Sequence, residues 1–289
     1  MASKQYISPI RLFQHCSVEI SDGVINVSRI KKQLVAEFDF AKTGFIEIDG
    51  YTYNKTDVLE EIERPDFGDR LKYHQRIWEC PTILSVIEKN TGNLNYLKTE
   101  FDKFQNDKAF DEFFSPYFAA PFNHLSRGML NEGKLYEAST LLLFEDFLQP
   151  MEREEGFRSL RVFLEENVRL FRNISKENYG TFRTRVQPWR TSGWDDFLNN
   201  LPAELDHFRT DIAIDLINLT VKIQKTHKAD CWTISQGLVR LRELPSHLRD
   251  TILNNDKVFN PKVSSGSNYG WIIWVAIILL RVIASGGCN

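Results

Sequence analysis

Apolar residues recur at helical spacing through most of the middle of the chain, and no other feature constrains its fold as strongly. Leu205, Phe208, Ile212, Leu216, Leu219 and Ile223 form the longest stripe. Phe157, Leu160, Leu164, Val168 and Phe171 form a second, and Leu94, Leu97, Phe101 and Phe104 a third. Ile234, Leu238 and Leu241, then Leu248 and Ile252 beyond Pro245, continue the same pattern. A period of about 3.6 residues sets each group on one side of a helix, so these faces must be buried against one another. Breaks at Pro81, Gly92, Pro116, Pro121, Gly133, Pro150, Gly156, Pro188, Gly193, Pro202 and Pro245 partition the stretch. The partition predicts roughly seven to nine helices, packed as a bundle or a short solenoid. The expected fold class is therefore mainly α, with residues 65–258 as a multi-helix domain. Phenylalanine alone contributes 21 residues, enough to supply a sizeable core.

The first 64 residues read differently. Val18–Val27 and Phe45–Tyr53 each place an Asp-Gly pair between β-prone apolar residues. Asp-Gly is the strongest short hairpin signal, because glycine accepts the positive φ that the turn demands. Ser28 and Asn54 follow as candidate N-caps, with side-chain oxygens able to take orphan helix N–H groups. After them Ile30, Leu34, Phe38 and Ala41, then Val58, Leu59 and Ile62, fall at helical spacing. Residues 1–64 are thus expected to form a small α+β module of two hairpins and two helices. Arg64-Pro65-Asp66-Phe67-Gly68 marks its boundary.

The far end changes composition twice. Residues 259–268 include Ser264-Ser265-Gly266-Ser267, the make-up of a flexible linker. From Tyr269 to Cys288 the chain is then almost wholly apolar, with Ile272, Ile273, Val275, Ile277, Ile278, Leu279 and Leu280 covering every helical face. About 20 residues at ~1.5 Å each span the ~30 Å of a hydrocarbon core. Tyr269, Trp271 and Trp274 stand at one end, where an aromatic belt meets the headgroups. Arg281 opposes insertion by about 3 kcal/mol at a helix centre, but lies in the second half of the run and can snorkel toward the far interface. Residues 269–288 are accordingly expected to be a transmembrane tail anchor. Arg249, Lys257 and Lys262 precede it and no basic residue follows it, which places the N-terminal bulk in the cytoplasm. The opening residues lack the apolar stretch of a secretory signal, and four scattered cysteines without paired spacing fit a reducing compartment.

Chemistry is sparse. His227, Asp230 and Cys231 fall at i, i+3 and i+4, where one helix face can offer three metal donors; a polar helix end is the ordinary reading. His207 and Asp211 lie one turn apart and are the candidates for general acid–base work, against a plain surface pair. Phe114, Tyr117, Phe118 and Phe122 belong to the densest aromatic cluster, residues 113–122. With Pro116 and Pro121 inside it, that cluster is expected as broken helix or extended loop, either packed in a core or forming a partner-binding patch. Residues 182–190 mix three arginines with aromatics, a pattern that can stack on nucleic-acid bases or pair with phosphate; Glu and Asp flank it on both sides, and a solvated or salt-bridged loop is expected. No G-x-G-x-x-G, no G-x-x-x-x-G-K followed by Ser or Thr, no G-x-S-x-G and no H-E-x-x-H pattern occurs, so no cofactor and no small-molecule substrate is named. A net charge of −3 argues against a broad nucleic-acid surface.

The function expected from these features is a tail-anchored helical protein acting through protein–protein contact at the cytosolic membrane face. Its partners would be the lipid bilayer and a protein or a second copy. The alternatives are a membrane-disrupting effector that oligomerises through its tail, and a membrane-attached enzyme or metal-binding protein.

Overall fold

The computed structural model of the chain describes residues 4–17 and 27–260. In chain order the elements are α1 (Pro9–His15), α2 (Val27–Ala41), β1 (Phe45–Ile48), β2 (Tyr51–Asn54), α3 (Lys55–Ile62), α4 (Phe67–Trp78), α5 (Pro81–Lys89), α6 (Leu94–Phe101) and α7 (Lys108–Asn131). There follow α8 (Leu135–Leu142), α9 (Arg153–Gly156), α10 (Arg158–Asn173), α11 (Tyr179–Phe182), α12 (Trp194–Asn199), α13 (His207–Ile223), α14 (Lys228–Arg240) and α15 (Ser246–Phe259). The chain is mainly helical with one two-stranded hairpin among the described residues. The surplus over the expected helix number consists largely of single-turn pieces such as α9 and α11, too short for periodicity to register.

Among the described residues two compact units are present, the first within Met1–Phe122 and Asp146–Gly156, the second within Asn123–Glu145 and Phe157–Asn289. In the first, β1 and β2 pair antiparallel with Ile48 opposite Tyr51. Asp49 and Gly50 both take positive φ, 53° and 78°, the conformation a tight hairpin requires at both central positions. Asn54 caps α3 by accepting from Thr56 N at 2.7 Å. Ser8 and Pro9 start α1 as cap and first helical residue. Ile30, Leu34 and Phe38 of α2 join Val58 and Ile62 of α3, Ile48 and Tyr53 of the hairpin, and Leu12 and Phe13 of α1 in one buried cluster. Phe67 and Leu71 of α4 belong to the same cluster. Arg64–Asp66 is a short connection from α3 to α4 within this unit, where Arg64 Nε donates to Asp66 Oδ1 at 3.0 Å.

The second unit pairs α10 with α13, α13 with α14, α14 with α15 and α8 with α12. Every member of the stripes from Phe157 to Phe171 and Leu205 to Ile223 is buried. Trp189 and Trp194, both wholly buried, have their rings 5.8 Å apart in its core.

Several expectations lie outside the described residues: most of the first hairpin (residues 18–26), the Ser/Gly stretch and the span over 269–288 with Tyr269, Trp271, Trp274 and Arg281. Ser28 lies within α2 and does not cap it. α15 ends at Phe259, one residue into the expected linker. Among the described residues, no helix is long and apolar enough to cross a membrane.

Candidate functional site

The first turn of α14 carries the second unit's most heavily engaged carboxylate. Asp230 is buried and accepts from Tyr179 Oη at 2.8 Å, Arg183 Nε at 3.0 Å and Arg183 Nη2 at 3.2 Å, with Arg190 Nη2 at 2.5 Å. Local turn chemistry delivers these donors. Ser175 N donates to Asn178 Oδ1 at 2.7 Å, and Asn178 N returns to Ser175 Oγ, shaping the turn from which α11 starts. Lys222 Nζ, near the end of α13, donates to Ile174 O at 2.7 Å and ties that turn to its neighbour. Burial opposes the Asp230 charge. Hydrogen bonds from Arg183 and Tyr179, and the two guanidinium charges, outweigh it and hold the carboxyl below its usual range. An acceptor so occupied is a charge clamp and not a base. Arg183 keeps about half of its side chain in solvent, so the outer side of the clamp is cationic.

The three candidate metal donors here do not converge. His227 is half-buried before α14, its ring against Tyr179 at 4.7 Å and its Nδ1 beside Thr226 Oγ1 at 2.9 Å. Cys231 faces the other way. Its Sγ donates to Thr220 O at 3.3 Å, and burial with the nearby Asp230 charge lifts the thiol to about 12. Among the described residues no group of three or more His, Cys, Asp or Glu is placed to hold an ion. His207 opens α13 in an exposed position with its ring on Phe208 at 4.2 Å, while Asp211 is half-buried one turn on. No hydrogen bond joins them among the described contacts. Asp206 pairs with Arg209 instead, at 2.7 Å.

The aromatic segment 113–122 is neither a broken helix nor an extended loop. α7 runs unbroken through Pro116 and Pro121. Phe110, Phe114, Phe118 and Phe122 repeat every fourth residue, and all are fully buried. Phe110 and Phe114 stack at 5.1 Å, Phe114 and Phe118 at 5.0 Å. Burying four phenylalanines contributes on the order of 2 kcal/mol each, which offsets about 3 kcal/mol for each internal proline. Phe114, Tyr117, Phe118 and Phe122 are core residues of the first unit and form no surface patch.

Sequence reasoning missed a buried polar network in the same unit. Glu61 is 2% exposed on α3, and His74 is wholly buried on α4. Arg70 Nε donates to Glu61 Oε1 at 2.8 Å and Arg70 Nη2 to Tyr117 Oη at 2.7 Å; that hydroxyl donates to Glu61 Oε2 at 3.3 Å. His74 Nε2 lies 3.2 Å from Glu61 Oε1, and Tyr6 Oη lies 3.0 Å from Nδ1. With Glu61 ionised, Nε2 carries the proton and Nδ1 accepts from Tyr6, so neutral imidazole satisfies every partner. Burial opposes the Glu61 charge, yet hydrogen bonds from His74 and Arg70 bring its carboxyl down to about 2. Burial pushes His74 below its usual value. The i, i+4 pair Arg70 and His74 was visible in the sequence, but nothing local marked it as buried.

A carboxyl shifted the other way yields a pH prediction. Asp111 on α7 is raised to about 6 by burial and by the charges of Asp107, Asp146 and Glu112. The folded value lies above the unfolded one, so the contribution is present below about pH 4 and lost as pH rises through about 6. Asp111→Asn should gain roughly 1 kcal/mol near pH 8, after discounting for solvent screening. Near pH 3.5 the two proteins should melt together, and a gain that persists there would refute the cause given.

Comparison with family models, curated proteins and solved structures finds no match for this chain.

Proposed function

We propose that the chain is a membrane-tethered helical protein, held by one C-terminal span over residues 269–288, with its helical body on the cytosolic side making protein contacts. The observation that carries this reading is the composition of Trp271–Ala284, where Arg281 is the one charged residue. Segments of that apolarity and length gain more from lipid than they lose to a single snorkelling arginine. The last described helix ends at Phe259, ten positions before Tyr269, which leaves the intervening residues to act as a tether. For protein contact, the support is apolar surface: Phe40 is 89% and Phe45 49% exposed, beside an open hollow of about 530 Å³ in the first unit.

Alkaline carbonate extraction of membranes from cells expressing the full chain tests the span. The chain should stay in the pellet and appear in the supernatant only with detergent. Ile273→Lys with Leu279→Lys adds about 5 kcal/mol or more to insertion and should release it. A full-length chain found in the supernatant without detergent would overturn the reading.

A further inference from the structure

We propose that the cationic face built over the Asp230 clamp lies against anionic phospholipid headgroups of the membrane that carries the chain. From the reading above it takes only the nearness of a bilayer.

Two stretches free of carboxylates supply this face. Residues 178–194 hold Arg183, Arg185 and Arg190 without any Asp or Glu, and residues 216–229 hold Lys222, Lys225, His227 and Lys228 without any. In sequence they are distant; in the fold they are one surface. Arg183 and Arg190 meet Asp230, the Tyr179 ring meets His227 at 4.7 Å, and Lys222 reaches Ile174 O. Lys176, Arg183, Arg185, Lys225 and Lys228 are exposed. Two of the carboxylates nearby are already engaged: Asp230 is buried under the arginines, and Asp215 is buried and paired with Arg172 at 3.0 Å. Exposed Glu177 stands beside Lys176, and exposed Glu132 and Glu166 line the hollow that Arg185 shares. In a chain of net charge −3, this is a marked local reversal of sign.

The chemistry favours headgroups over nucleic acid. Single-strand binding needs aromatic faces on which bases stack. Here Tyr179 and Trp189 are wholly buried, and Phe182 is half-buried beneath the Arg185 guanidinium at 6.0 Å. Flat, multivalent charge without a stacking platform suits a lipid surface, where each cation contributes about 1 kcal/mol within a Debye length of ~8 Å. Residues 260–268 span at most about 30 Å when extended, so the body of a tail-anchored chain stays within reach of the bilayer.

The test uses the full chain reconstituted in vesicles of phosphatidylcholine, with or without about one-third phosphatidylserine. Limited lysine acetylation, read by mass spectrometry, reports access to Lys176, Lys225 and Lys228. The expected result is labelling at least about threefold slower in the anionic vesicles at ~0.1 M salt, returning to the phosphatidylcholine rate at ~0.5 M. Lys176→Glu with Arg185→Glu, both at exposed positions, should abolish most of the protection at Lys225 and Lys228. Equal labelling in both vesicles would overturn the proposal, and so would protection that ignores salt. Protection by millimolar inorganic phosphate alone would assign the face to a soluble anion, and protection by an oligonucleotide but not by phosphatidylserine would assign it to nucleic acid; either overturns it. If carbonate strips the chain from both vesicles, the anchor fails. Cosedimentation of the stripped chain with anionic but not neutral vesicles would still support the face, and its absence would overturn both.

Discussion

Replacing Glu61 by leucine should be the most damaging single substitution in the first unit. The exchange leaves Arg70, His74 and Tyr117 without the carboxylate they share in a site where Glu61 is 2% exposed. Removing one partner of a buried ion pair costs about 3–5 kcal/mol, because the surviving charge stays out of water. A loss of that size lowers the melting temperature of a unit this size by on the order of 10 °C. Hydrogen exchange followed by peptide should place the loosening in α3 and α4. Glu61→Gln keeps the shape and should cost less, since one oxygen remains to accept.

The pH dependence separates the charge from the packing. Glu61 sits at about 2 when folded, below its ordinary 4.5, so its contribution is present above about pH 4.5 and lost as acid drives it through 2. The contribution at neutral pH is on the order of 2–3 kcal/mol. His74, depressed by burial, acts in the same direction: neutral imidazole is favoured when folded, and stability falls as pH drops below its unfolded value. The wild-type first unit should therefore lose stability steadily toward acid, and Glu61→Gln should show a shallower slope between about pH 4.5 and 2. Parallel slopes would mean that the network's charge contributes nothing.

Gly237→Ala should do comparable harm in the second unit, against helix propensity. In the middle of α14, alanine is worth about 1 kcal/mol over glycine. At this position its Cβ would overlap the Trp194 indole ring. The ring has no room to retreat: Trp194 is wholly buried, with Trp189 5.8 Å away. Overpacking of this kind costs roughly 1–3 kcal/mol, and more where a large rigid ring must move. The net expectation is a loss of about 2 kcal/mol or more by denaturant titration. Trp194→Leu should itself destabilise, and the Gly237→Ala change should be nearly harmless, or helpful, when added to it. Additive losses in that double-mutant cycle would show that the ring is not what glycine accommodates.

Much of the helical architecture was legible from spacing. The stripes on α10, α13 and α14 name residues that are in fact buried, because periodicity states which side of a helix must leave water. Asp49-Gly50 and Asn54 announced their hairpin and cap through backbone preferences that act within four residues. α7 shows the limit of such rules. Read locally, Pro116 and Pro121 break a helix; the Phe110–Phe122 ladder, repeating every fourth residue, carries the opposite message.

By itself the sequence determined the helical class, the Asp-Gly hairpin, the buried faces and the apolar composition of its final twenty residues. Those follow from short-range sterics and from the partition of side chains between water and oil, both local properties. Tertiary structure alone decided where the chain divides into units, that Glu61 and His74 would share a dry site, and that Asp230 would meet Arg183 and Tyr179 from 47 and 51 positions away. A periodic pattern says that a face needs cover. Which distant segment supplies the cover, and which charges it brings, depends on packing over the whole unit, which no local signal encodes.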